Sequence, residues 1–150
     1  MVAIIQGKYG RLRETPPRPQ TAGALHVAEF IYDASAGLLA VDKLELGILP
    51  AGADIYDYFF WSETDLGAKT ISAGVMSGTV GSTDSARTVG TDLYSAVSVA
   101  TAHTSIVRQT AVAGQKIAVA TTDRSLGLQI SADLAAAAGQ IIHLTVFYAQ

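Results

Sequence analysis

Residues 49–61, Leu-Pro-Ala-Gly-Ala-Asp-Ile-Tyr-Asp-Tyr-Phe-Phe-Trp, constrain the fold more than any other stretch. Pro50 and Gly52 interrupt one apolar segment and begin another, which predicts strand, tight connection, strand. Five of the eleven aromatic residues then fall between Tyr56 and Trp61. Strict alternation would put Ile55, Asp57, Phe59 and Trp61 on one face and Tyr56, Tyr58 and Phe60 on the other. Both faces need cover. Such a strand is either sandwiched within its own subunit or covers a neighbour with its outer side. The second arrangement is the expectation, with Tyr56, Tyr58, Phe60 and Trp61 as subunit-interface residues.

The rest of the chain is punctuated in the same way. Strand patterns run over 25–32, 39–49 and 69–75, and again over 106–112, 115–121, 125–131 and 140–148. In the last, Ile142, Leu144, Val146 and Tyr148 share a face, and in the second, Leu44, Leu46 and Ile48 alternate with Lys43, Glu45 and Gly47. Residues 76–91, with Gly78, Gly81 and Gly90 among Ser and Thr, form the longest expected loop. Residues 92–97 suit a short helix capped by Thr91 or Asp92. The Ala-rich 133–139 is too short for a stable helix and is expected to be one turn or a loop.

About eight short strands with Gly-rich connections and almost no helical period predict an all-β fold, a jelly-roll-like β-sandwich with an extended N-terminal arm. An immunoglobulin-like sandwich is the alternative, but cysteine is absent and no tryptophan lies between a cysteine pair. The arm covers residues 1–21 and the body 22–150. Pro16, Pro17 and Pro19 keep the second half of the arm extended. Residues 1–20 carry four cations against one carboxylate, and the other 130 carry six against twelve. The chain is a basic arm on an acidic body. Val2, Ile4, Ile5, Tyr9 and Leu12 give the arm more apolar content than a solvated tail needs, so it is expected to anchor on a partner.

Chemistry is poorly represented. His26, His103 and His143 have no partner at metal-ligand spacing, and neither a nucleophile elbow nor a phosphate loop occurs. Asp54 with Asp57, or Glu63 with Asp65, are weak candidates for a hydrolytic carboxylate pair. Asp84 and Asp92 on the Gly-rich loop could serve Ca²⁺, although EF-hand spacing is missing. No catalytic residues, no metal and no cofactor are assigned. The acidic body disfavours nucleic acid, and no apolar run approaches a membrane span of about 18 residues. The first residues lack a signal-peptide pattern, which points to synthesis in a cytoplasm.

The turn at 49–53, the strand Thr-Ile-Ser-Ala-Gly-Val at 70–75, and the ending Leu-Gly-Leu-Gln-Ile-Ser at 126–131, Ala-rich turn, and Gly-Gln-Ile-Ile-His-Leu-Thr-Val-Phe-Tyr at 139–148 together resemble the small jelly-roll decoration, or cement, proteins on the heads of tailed bacteriophages. The resemblance implies a homotrimer on the capsid exterior of a virion. It would bind across major capsid protein subunits and help the shell resist internal pressure. The arm would be the clamp, through Val2, Ile4, Ile5, Tyr9, Arg11, Leu12, Arg13 and Arg18. Similar folds occur in phage tail and fibre modules, where Trp61, Tyr56 or Tyr58 would stack on a bacterial surface glycan.

Overall fold

The computed structural model describes residues 4–6, 24–108 and 112–150. Nine strands are present among them: β1 (Ile4–Gln6), β2 (Leu25–Asp33), β3 (Lys43–Leu49), β4 (Asp54–Ser62), β5 (Thr70–Val75), β6 (Tyr94–Ser98), β7 (Val107–Arg108), β8 (Arg124–Ile130) and β9 (Ile141–Ala149). One sheet has the order β2-β9-β4-β7, and the other β3-β8-β5-β6 with β1 added beside β3. Apart from β1, which pairs parallel to β3, every pairing is antiparallel. The chain passes repeatedly between the sheets, and this interleaving of two four-stranded antiparallel sheets is that of a jelly roll.

Alternating side chains build the core. Phe30 from β2, Leu44 and Leu46 from β3, Ile71 from β5, Leu126 and Leu128 from β8, and Leu144 and Val146 from β9 are all buried between the sheets. Ile142, Leu144, Val146 and Tyr148 share the inner face of β9, as their spacing predicts. The aromatic strand departs from strict alternation. A bulge between Ile55 and Asp57 shifts the register of β4 against β9, so Ile55, Tyr58 and Phe60 all face the core while Tyr56 is left exposed. Tyr58 and Phe60 therefore fill their own subunit, each 1% exposed, and neither is placed to meet a neighbour.

Two other segments differ from expectation. The helix predicted over 92–97 is strand β6, in which Tyr94 is fully buried, edge-on to Tyr58 at 5.4 Å, and donates its hydroxyl to the Val107 carbonyl at 2.7 Å. Sheet pairing and that buried ring outweigh a helix too short to offset its own nucleation. Asp92 caps no helix; its carboxylate accepts from the Val75 N–H. The strand predicted over 115–121 is instead a 3-10 turn at Gly114–Lys116 followed by irregular chain. Gly114 lies so close to the ring of Tyr58 that a Cβ there would sit 2.3 Å from it. In the 106–112 candidate only Val107–Arg108 is strand, with 109–111 outside the described residues.

The 76–91 loop folds down over the outer face of the second sheet. Its anchor is Arg87, 3% exposed, whose guanidinium reaches the fully buried Glu45 of β3 at 3.0 Å. Arg87 also donates to the carbonyls of Ser77 and Ser82 and to the Ser125 hydroxyl. Glu45 accepts from the Gly81 N–H and from Ser125. Burial pulls the Glu45 carboxyl upward, but Arg87, Gly81 and Ser125 together outweigh it and hold it below the ordinary value.

Arg87→Ala strands that carboxylate and is expected to lower stability by about 3–5 kcal/mol, read as a fall in the urea midpoint. The contribution tied to the depressed Glu45 carboxyl is complete above about pH 4.3 and disappears as pH falls through its folded value, so the gap between variant and parent narrows in acid. Gly114→Ala is expected to cost about 1–3 kcal/mol by driving Tyr58 from its place, measured by thermal unfolding.

Candidate interaction surface

One sheet has an outer face that no element among the described residues covers. It belongs to β2-β9-β4-β7, and the register lays it out in rows. Val27 stands beside Phe147 and then Asp57; Glu29 beside Thr145 and Phe59; Ile31 beside His143 and Trp61. Directly opposed side chains on one face pack against each other, so each row is a unit of contact. Leu25, Val27 and Ile31 are exposed at 60%, 51% and 41%, and Tyr56 at 58%. Apolar side chains in this density on the outside of a sheet make this face the candidate contact surface.

Its centre is a stack. The rings of Trp61 and His143 lie 3.7 Å apart and 12° from parallel. His143 Nδ1 is 3.0 Å from a Glu29 oxygen and Nε2 is 3.4 Å from a Glu63 oxygen. The imidazole is 7% exposed, while the two carboxylates are 45% and 44% exposed. His143 thus ties β2 and the end of β4 to β9, and its Nε2 has no hydrogen bond of good geometry. A second cluster lies toward β7, where Phe59 and Phe147 meet at 5.8 Å and Arg108 lies over Phe59 while pairing with Asp57 at 3.1 Å. That ion pair is exposed and contributes little to stability.

The remaining candidates are dispersed. Trp61 borders a shallow hollow with Ala102, His103 and Ile106, and Tyr58 is not available to stack on any ligand. Glu63 serves His143, whereas Asp65 faces His103 at 3.8 Å, so the two acids do not act as a pair. Asp84 accepts from the Ala86 N–H within its own turn. Among the described residues no three His, Asp or Glu side chains converge to hold a metal. Of the arm residues, Ile4 and Ile5 fall in β1; Val2, Tyr9, Arg11, Leu12, Arg13 and Arg18 lie outside the described residues.

Sequence reasoning missed two arrangements here. Glu45 alternates correctly with Leu44 and Leu46, yet alternation carries no sign that a loop forty residues on will bury it. Trp61 and His143 are 82 positions apart and become neighbours only through the β4–β9 register. The single available hint was a tryptophan on a strand apolar on both faces.

Neither the family models nor the curated proteins compared with this chain give a match. Solved structures do. A chain from the capsid of Ralstonia phage GP4 is 31% identical and superposes with a TM-score of 0.87, over 99% of this chain and 98% of that one. A chain of the cyanophage Pam1 capsid asymmetric unit, 20% identical, has a TM-score of 0.60 over 91% of this chain and 92% of that one. One from the acidic stable capsid structure of Helicobacter pylori bacteriophage KHP30, 13% identical, has a TM-score of 0.53 over 87% and 90%. The last two share the fold.

His143→Ala is expected to shift the emission of Trp61, the only tryptophan, to the red as water replaces the imidazole. It should also remove about 0.5–1.5 kcal/mol of ring packing in a denaturant titration.

Proposed function

The chain belongs to the family of phage capsid chains that includes the one from Ralstonia phage GP4, and from that premise we propose that it is a decoration protein. In this reading it binds the outside of the head as a homotrimer, across neighbouring major capsid subunits, and strengthens the shell. A structural virion protein needs contact surfaces rather than a reaction centre. The observation that carries the proposal is the outer face of β2-β9-β4-β7, where Leu25, Val27, Ile31, Phe59, Trp61 and Phe147 offer an apolar surface beyond what the subunit's own core uses.

Division of labour follows from charge and shape. The sheet face, with Tyr56 and Trp61, meets other copies of the chain. The basic arm, residues 1–21, runs along the shell, where Val2, Ile4, Ile5, Tyr9 and Leu12 bury apolar area and Arg11, Arg13 and Arg18 meet capsid carboxylates. Location on the head rather than on a tail fibre is favoured by likeness over nearly the full length to a capsid chain.

Two measurements test this. Light scattering over a dilution series should give a mass near three times 15.6 kDa, and Val27→Asp with Ile31→Asp should reduce it to one chain without unfolding it. A monomer at every concentration in the parent protein would defeat the trimer. A truncation lacking residues 1–20 should fold but fail to co-sediment with shells stripped of the decoration protein; undiminished binding would defeat the clamp.

A further inference from the structure

We propose that His143 Nε2 and the Glu63 carboxylate bind a divalent transition-metal ion of the zinc class, with Glu29 holding the imidazole from behind. The inference goes beyond the decoration reading, which requires no metal, and it stands whether or not the chain is a trimer.

The two donors face each other with no proton to share. Glu29 Oε1 lies 3.0 Å from His143 Nδ1, and a carboxylate can only accept, so Nδ1 carries the proton of the neutral ring. Nε2 is then a lone pair, and the group it faces, Glu63 Oε1 at 3.4 Å, is a second acceptor. Nε2 is buried without a hydrogen-bond partner, on a side chain only 7% exposed. Two electron-rich atoms held this close repel unless a cation lies between them.

The geometry suits an ion better than a second proton. An N–H···O bond is nearly straight and spans about 2.7–3.2 Å. Here the separation is longer, and Nε2 makes no hydrogen bond. A tetrahedral ion with bonds of about 2.0–2.2 Å to nitrogen and oxygen sits off the line joining its donors and keeps them about 3.4 Å apart. Imidazole beside carboxylate is a donor set of the zinc class, whereas Ca²⁺ and Mg²⁺ take oxygen ligands.

Support for such an ion is already in place. Trp61 is stacked on His143 at 3.7 Å and 12°, which fixes the plane of the ring. Glu29 supplies the outer carboxylate that orients a metal-binding histidine and sets its tautomer. Glu63 is the movable donor: its N–H donates to the Ile141 carbonyl at 2.9 Å, which fixes its backbone beside β9, while its carboxylate is 44% exposed and can open to admit the ion. Two side chains leave two tetrahedral positions to water. The bound ion ties the end of β4 to β9 and, through Glu29, to β2.

Trp61, the only tryptophan, is the reporter. Tag-free full-length protein, stripped with EDTA and returned to buffer, is titrated with Co²⁺ and followed by tryptophan emission; Zn²⁺ is then added in competition. The expected result is saturable quenching at one ion per chain, reversed by Zn²⁺ or EDTA. Glu63→Gln, which keeps the size of the side chain, should abolish it, and Glu29→Gln should weaken it about 10–100-fold. His103→Ala, which removes the other histidine–carboxylate pair near Trp61, should leave it unchanged. The metal-free emission of each variant, matched to the parent, shows that the stack is intact. No saturable quenching in the parent overturns the proposal and leaves the gap to a proton. Quenching retained in Glu63→Gln, or lost in His103→Ala, also overturns it. Light scattering on the same samples reads the trimer separately, so the loss of one reading is distinguishable from the loss of the other.

Discussion

A carboxylate taken completely out of water must be answered by an opposite charge, and in this fold Glu45 is answered by Arg87. Much depends on that pair. The 76–91 segment is rich in Gly, Ser and Thr and has little apolar surface of its own with which to pack. Arg87 gives it a reason to lie on the sheet, and the carbonyls of Ser77 and Ser82 bend toward the same guanidinium. Ser125 of β8 joins the network and ties neighbouring strands to one point. Polar groups that satisfy one another away from water specify a single arrangement, since any alternative leaves some of them unpaired. A loop that composition alone would leave free thus packs on β3 and β8.

The two sheets consequently have different outer faces. One is covered in part, over β3 and β8, by the chain's own loop. The other is left with aromatic and aliphatic rows organised around Trp61 and His143. The bulge in β4 makes the distinction sharper: one extra residue lets Ile55, Tyr58 and Phe60 share the core, and it turns Tyr56 outward. The chain belongs to a family of phage capsid chains, and its apolar outer face is assembled from three strands far apart in sequence.

Burial also explains where local preference lost. Tyr94 is a modest helix former that becomes a strand residue because its ring fits against Tyr58 and Phe60 and its hydroxyl finds the Val107 carbonyl. Gly114 allows the chain to pass directly over Tyr58, and so replaces an expected strand by a short turn. Burial pushes both phenols above their ordinary values, so they stay neutral, as an interior requires.

Period-two alternation in Leu44, Leu46 and Ile48, and again from Ile142 to Tyr148, was enough by itself to determine an all-β chain with those faces inside, because side-chain direction in a strand is a local property. Pro50 and Gly52 likewise marked a turn without help from the rest of the molecule. Composition alone set a basic stretch, residues 1–20, against an acidic remainder. Only the tertiary structure decided which strands adjoin, where the β4 register slips, that Arg87 belongs to Glu45 and that His143 lies on Trp61. Those are contacts between residues far apart in sequence, set by packing of whole sheets, and no window of sequence contains both partners.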